Sequence, residues 1–310
     1  MSVTYAAWTY QPWAKAAPAG SLALADVAVR RWLASGQNRI RNLHGRLAGL
    51  PVAMGWAAVV AICLFAWPAA AYRPFDGTDA AVAGVNEIEI ELEPVGWLKA
   101  GSQSVLVTPG VVFNYGFAER WEVVLQSQML TPISPGGEAS LVATGAFLKW
   151  VVRPGVLQGQ SGPSIAMEFG PLLPGLNADP GVGFSWAGIV SQRWDWGTAH
   201  FNVETNLTRD QHGEAFLDVI LEGPSTWKVR PVFETFYDKV WTQTESRSVL
   251  VGAIWQVEHD LSLDAAFRYA LVNGHPVNEI RAGLTFAFKE EGDKTPIKPG
   301  ATFGNWGLSR

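Results

Sequence analysis

The chain has 310 residues with 23 Lys+Arg against 28 Asp+Glu, 32 Gly, 15 Trp, 15 Phe and a single cysteine. Charged residues make up 16% of it, against about 25% in an average soluble domain, which excludes a disordered, coiled-coil or collagen-like chain. The net charge of −5 argues against nucleic acid as a partner, and Cys63 alone supports neither a disulfide framework nor a cysteine metal cluster.

Charge is spread unevenly. Residues 1–71 hold Lys15, Arg30, Arg31, Arg39, Arg41 and Arg46 against Asp26, which leaves 17 basic and 27 acidic residues, a net −10, for 72–310. Arg39, Arg41 and Arg46 precede an apolar run from Leu47 to Trp67. Pro68 breaks the run, and Ala69-Ala70-Ala71 place small residues before Tyr72. A basic region, an apolar region and an A-x-A site predict a secretory signal peptide with Ala69, Ala71 and Tyr72 at the cleavage site. The alternative is an N-terminal membrane anchor, since the run is nearly long enough to span. Residues 1–71 are therefore read as an N-terminal extension plus cleaved signal, and 72–84 as a periplasmic N-terminal segment.

From residue 85 the hydrophobic period is 2. Glu87 to Glu93 alternates without a fault, and Leu261, Leu263, Ala265, Phe267, Tyr269 and Leu271 share one face opposite Ser262, Asp264 and Arg268. Twelve such segments are predicted: 85–92, 105–117, 121–129, 140–152, 164–171, 181–193, 197–207, 214–222, 227–237, 246–257, 261–272 and 278–288. Short links (118–120, 195–196, 223–226, 258–260) alternate with longer ones (130–139, 172–180, 208–213, 238–245), and 153–163 breaks the alternation. Phe117, Trp121, Trp150, Trp196, Trp227 and Phe288 fall beside the short links. Trp97, Tyr237, Trp241 and Tyr269 lie toward the other ends. Two aromatic girdles and an apolar face on nearly every strand predict an all-β fold. It is a transmembrane antiparallel up-and-down β-barrel of about twelve strands (85–288) in the outer membrane of a Gram-negative bacterium, exported through the inner membrane. A soluble sandwich would need neither the leader nor the girdles.

If the apolar faces meet lipid, the opposite faces line the interior. That set is Glu87, Glu89, Glu91, Glu122, Lys149, Glu204, Asp218, Glu222, Arg230, Glu234, Asp264, Arg268 and Arg281, since Lys or Arg facing the lipid midplane costs about 2–4 kcal/mol. The set reads as an acidic conduit or as internal salt bridges that stiffen the wall. Closing the barrel sets the last strand beside the first, so Arg281 is expected to pair with a glutamate of the Glu87–Glu89–Glu91 ladder, with Arg268 nearby.

The last strand, Arg281 to Phe288, has Gly283, Phe286 and Phe288 in a polar-x-Gly-x-x-aromatic-x-aromatic pattern. It resembles the terminal strand by which the outer-membrane assembly machinery recognises its clients, although residues 289–310 follow as a Lys/Glu/Pro/Gly-rich periplasmic tail. Tyr115-Gly116-Phe117-Ala118-Glu119-Arg120-Trp121-Glu122-Val123, Lys228-Val229-Arg230-Pro231-Val232-Phe233-Glu234, Leu250-Val251-Gly252-Ala253, Asp260-Leu261-Ser262-Leu263-Asp264-Ala265 and Ala282 to Phe288 together resemble the outer-membrane family named after the MetA pathway of phenol degradation. The resemblance covers most of 85–288 and is architectural. It implies a channel or transporter for small compounds, with aromatic or hydrophobic ones among the candidates. The expected partners are outer-membrane lipid, the assembly machinery and an unidentified small molecule.

Two other functions come from different classes. A phospholipase-like barrel enzyme would need a Ser/His/Asn constellation. His200 with Asn202 is the only strand placement of a histidine that suits it, and the His-x-Ser-Asn order is not there. A closed structural barrel without transport is the other. No catalytic residue, metal site or cofactor is predicted, as the sequence has no phosphate-cradling glycine loop and no zinc spacing.

Overall fold

The computed structural model describes residues 73–289. The leader, with Ala69, Ala71 and Tyr72, and the tail beyond Lys289 lie outside the described residues. Twelve strands form one closed antiparallel barrel in which each strand pairs with its sequence neighbours and β1 pairs with β12. The strands are β1 (Glu87–Ala100), β2 (Gln103–Ala118), β3 (Trp121–Ser134), β4 (Ser140–Arg153), β5 (Ser164–Leu172), β6 (Gly183–Trp194), β7 (Gly197–Leu207), β8 (Gly213–Glu222), β9 (Val229–Val240), β10 (Thr244–Glu258), β11 (Leu261–Val272) and β12 (His275–Lys289). Closure leaves no unpaired edge, the condition hydrocarbon imposes on any sheet that crosses it.

The strands match the period-2 segments, with one systematic difference. They run on into residues read as loops: β1 continues past Leu92 through a bulge to Ala100, and β3 continues to Ser134. The expected contrast between short and long links is accordingly weak. At the barrel end where β1 finishes, 101–102 and 273–274 are two-residue turns and only 173–182 is long. Asn273 and Gly274 both have positive φ, 49° and 80°, the conformation of a type I′ hairpin turn, whose twist matches that of the strands it joins. The irregular link 154–163 carries a short 3₁₀ helix, Val156–Gln158, and Leu157 is buried.

The outward faces are those of a lipid-facing wall. Leu125, Phe201, Leu217, Val249, Val251, Phe267 and Ile280 are all exposed in the isolated chain. At the end where β1 starts and β12 finishes, Trp121 stacks on Trp150 across β3 and β4 with centroids 5.3 Å apart, and Trp194 stacks on Trp196 at 5.2 Å. Phe184, Tyr237, Trp241 and Tyr269 stand exposed toward the other end. Two bands of amphipathic rings separated by aliphatic wall fit the two headgroup levels. Thr242 and Ser225 lie in links at opposite ends. Single cysteines there are expected to react with a membrane-impermeant maleimide from opposite faces, Thr242→Cys from outside the cell. Labelling of both from one face would refute the topology.

Candidate functional site

The interior is occupied. Residues 73–84, expected on the periplasmic side, run inside the barrel and circle its wall. The segment leaves β1 at Gly84, where its backbone crosses Gly116 so closely that a Cβ there would collide with the carbonyl oxygens of Ala83 and Gly84. Ala83 N–H donates to Glu122 Oε2 at 2.7 Å on β3. Lys149 on β4 reaches Thr78 Oγ1 at 3.2 Å, and both Asp79 and Glu122 at 3.5 Å. Gln158 donates to Ala80 O at 2.8 Å from the folded-in link. On β7, Asn202 Oδ1 accepts from Thr78 N–H at 3.2 Å. Glu234 on β9 accepts from the N–H groups of both Asp76 and Gly77, at 2.7 and 2.9 Å. Phe75 packs with inward apolar side chains of β8 to β11: Ile220, Val232, Leu250, Ile254 and Ala266. Arg73 closes the circuit with Glu93 at 3.1 Å and Asp264 at 3.4 Å. The attachment points move from the ends of β2 and β3 to the middles of β11 and β12, so the segment climbs as it circles.

Its tightest anchor is a buried quartet. Asp76 bridges Arg268 Nη1 at 2.8 Å and Arg281 Nη2 at 3.3 Å, and Glu279 bridges the same two guanidiniums, at 2.9 Å from Arg281. Arg281 also donates to Pro74 O at 2.7 Å. All four residues are at most 2% exposed. Two arginines and two carboxylates balance, which is the condition for ion pairs to persist away from water.

A second anchor is a relay. Ala80 N–H donates to Ser191 Oγ at 2.9 Å, Ser191 meets His200 Nδ1 at 2.8 Å, and His200 Nε2 meets Glu222 Oε1 at 3.2 Å. Arg230 Nε stands 3.3 Å from the other Glu222 oxygen. With the imidazole proton on Nε2, every link has one donor and one acceptor. The order serine, histidine, acid is that of a nucleophile relay, but here the serine is fully buried and its oxygen is taken by the Ala80 N–H. The relay therefore holds the segment.

Glu89, Glu91, Glu122, Lys149, Glu204, Asp218, Arg230, Glu234, Asp264, Arg268 and Arg281 are buried, and Glu87 and Glu222 half-buried. The expected pair between Arg281 and the glutamate ladder is absent. In the seam register Arg281 stands opposite Gly96, while Glu89 and Glu91 stand opposite Ala287 and Thr285. The longer β1 carries the ladder past the arginine, and Asp76 supplies a nearer acceptor. Glu91 instead accepts from Asn114 at 3.2 Å. Gly283 lies against Arg73 and Asp264, and with Phe286 and Phe288 belongs to β12. Sequence reading missed Glu93, Glu168, Glu214 and Glu279. The same alternation could have found all four: Glu93 with Glu91, Glu168 with Ser164, Glu214 with Asp218, and Glu279 with Arg281.

No protein-family model and no curated protein matches the chain. Among solved structures, it is similar to a KdgM porin (10% identity, TM-score 0.44, covering 64% of this chain and 99% of that one). It is also similar to the COG4313 outer membrane channel from Pseudomonas putida F1 (10%, 0.44, 69% and 100%) and to a CymD monoaromatic hydrocarbon channel (8%, 0.41, 68% and 90%).

Proposed function

We propose that this chain is an outer-membrane channel or transporter for small compounds whose conduit is closed by its own residues 73–84. The observation that carries this reading is how the segment is held. Each hydrogen bond and ion pair described above ends on a side chain of the wall or, for Gln158, of the folded-in link, so the segment can leave without breaking the barrel's ladder of backbone hydrogen bonds. A barrel built only for stiffness has no need of a removable strap; its interior is filled by the side chains of the wall. Export behind the leader, assembly through the terminal-strand pattern and membership of the MetA-pathway family fit the same reading, the last resting on the hairpin motifs alone. The acidic wall suits polar or cationic solutes better than the hydrophobic ones that the resemblance implies.

The relay supplies the test. Ser191→Ala removes the acceptor of Ala80 N–H inside a sealed lumen. In planar bilayers the variant is expected to show brief conducting events at several times the frequency of the parent. Silence from the parent, from this variant and from a chain lacking the segment would leave the closed structural barrel as the correct reading.

A further inference from the structure

Beyond the segment, toward the end where β1 finishes and β12 starts, the lumen keeps a small cavity of about 20 Å³, the size of one or two water molecules. It is lined by Gln126, Glu168, Ser185, Glu204, Asn206 and Glu214, with Phe147 and Leu172 as apolar walls. One carboxylate oxygen each of Glu168, Glu204 and Glu214, and the amide oxygens of Gln126 and Asn206, are buried without a hydrogen-bond partner. These five side chains are each less than a tenth exposed. The other Glu214 oxygen accepts from Asn206 Nδ2 at 3.0 Å.

The neighbouring cations are engaged elsewhere. Lys149, the cross-strand partner of Glu168, serves Glu122, Asp79 and Thr78. Arg209, in the link above Glu214, donates to Leu173 O and Thr144 O at 2.6 Å each. Five orphaned acceptors, three of them carboxylate oxygens, around a space of one small group call for a guest with several donors. Water would donate two protons to five acceptors. Among the described residues no three acidic side chains are disposed to hold a metal ion, which disfavours direct chelation by oxygen ligands. An –NH₃⁺ group needs no chelate: it carries three donors and one positive charge, and its first methylenes can lie against Phe147 and Leu172.

We propose that this cavity is a binding site for the ammonium head of a small primary amine, and that such amines are a substrate class of the channel. The second clause rests on the transport reading above; the first does not. The site is therefore tested by equilibrium binding rather than by current. Ethylammonium chloride titrated into the folded mature barrel in detergent is expected to give a saturable calorimetric signal. Tetramethylammonium, which has no N–H to donate, is expected to give none. Glu204→Gln and Glu214→Gln should each weaken ethylammonium about tenfold, while heat-modifiable migration on gels shows that both variants still fold. Three results would overturn the site: no saturable ethylammonium signal, equal binding of tetramethylammonium, or calcium binding that displaces ethylammonium and is lost in the same variants. If the site binds but amines do not cross liposomes carrying the segment-free barrel, the site stands and the transport reading fails.

Discussion

A chain shortened to begin at Gly84 is expected to carry stepwise ion currents across a planar bilayer where a chain beginning at Tyr72 holds a closed baseline. The segment touches β1, β3, β4, β6, β7, β9, β11 and β12 from within, so its removal clears a path across the section of the barrel that it now fills. The wall should survive the loss. Its strands stay paired, and the charges left behind, Arg268, Arg281, Lys149 and Glu234, come into contact with the water that enters. A group facing a water-filled lumen does not bear the full desolvation penalty of a dry interior. The freed interior remains rich in carboxylates, so the open pore should prefer cations, read as the sign of the reversal potential in a potassium chloride gradient. A shortened chain that folds, resists heat and still passes no current would show that the segment is not what closes the lumen.

Asp76→Ala should release the segment while leaving the wall intact. The substitution strips one of two carboxylates from Arg268 and Arg281. Removing one partner of a buried ion pair costs about 3–5 kcal/mol, because the remaining charge is left uncompensated. That cost falls on the docked state of the segment, since undocking lets water reach the arginines. Amide hydrogen exchange at Asp76 to Ala80 reads the effect. The N–H groups of residues 76, 77, 78 and 80, now bonded to Glu234, Asn202 and Ser191, should exchange faster by a factor of at least about a hundred. The strand amides should keep their protection. Adding Arg281→Met should recover part of the loss, as it removes one of the two charges that Asp76 neutralises. Unchanged exchange in the single variant would mean that the quartet does not hold the segment.

The wall was legible in the sequence because a strand with lipid on one face and charge on the other writes its period directly. Leu261 to Leu271 against Ser262, Asp264 and Arg268 is sufficient to orient β11. Strand length was less legible. Pro94 and Gly96 interrupt the alternation of β1 where the bulge falls between Leu92 and Val95, and the strand resumes on the same face one residue out of step. The segment left no trace at all. Residues 73–84 have neither period nor length enough for an element, and their partners lie far along the chain. What makes Asp76 part of a site is the meeting of Arg268 and Arg281 beneath it, which register and closure decide. The same holds for the relay: Ser191 and His200 are cross-strand partners on β6 and β7, and a pairing register is not written in either strand alone.

The contacts of the segment join residues 111, 124, 158, 192 and 207 positions apart in the chain. Synthesised before any strand, it finds its last anchors only when β11 and β12, the final strands made, are in place. Contacts of such separation form late in folding, after the entropy of closing the intervening loops has been overcome. Sealing is therefore a step that only a completed barrel can take. An assembly intermediate stalled before β12 would hold Asp76 with neither Arg281 nor Glu279 to receive it. Its lumen would stay wet and its leading residues within reach of a periplasmic protease. Resistance of residues 73–84 to cleavage thus reports, at the level of a single protease-sensitive bond, whether the first and last strands have met.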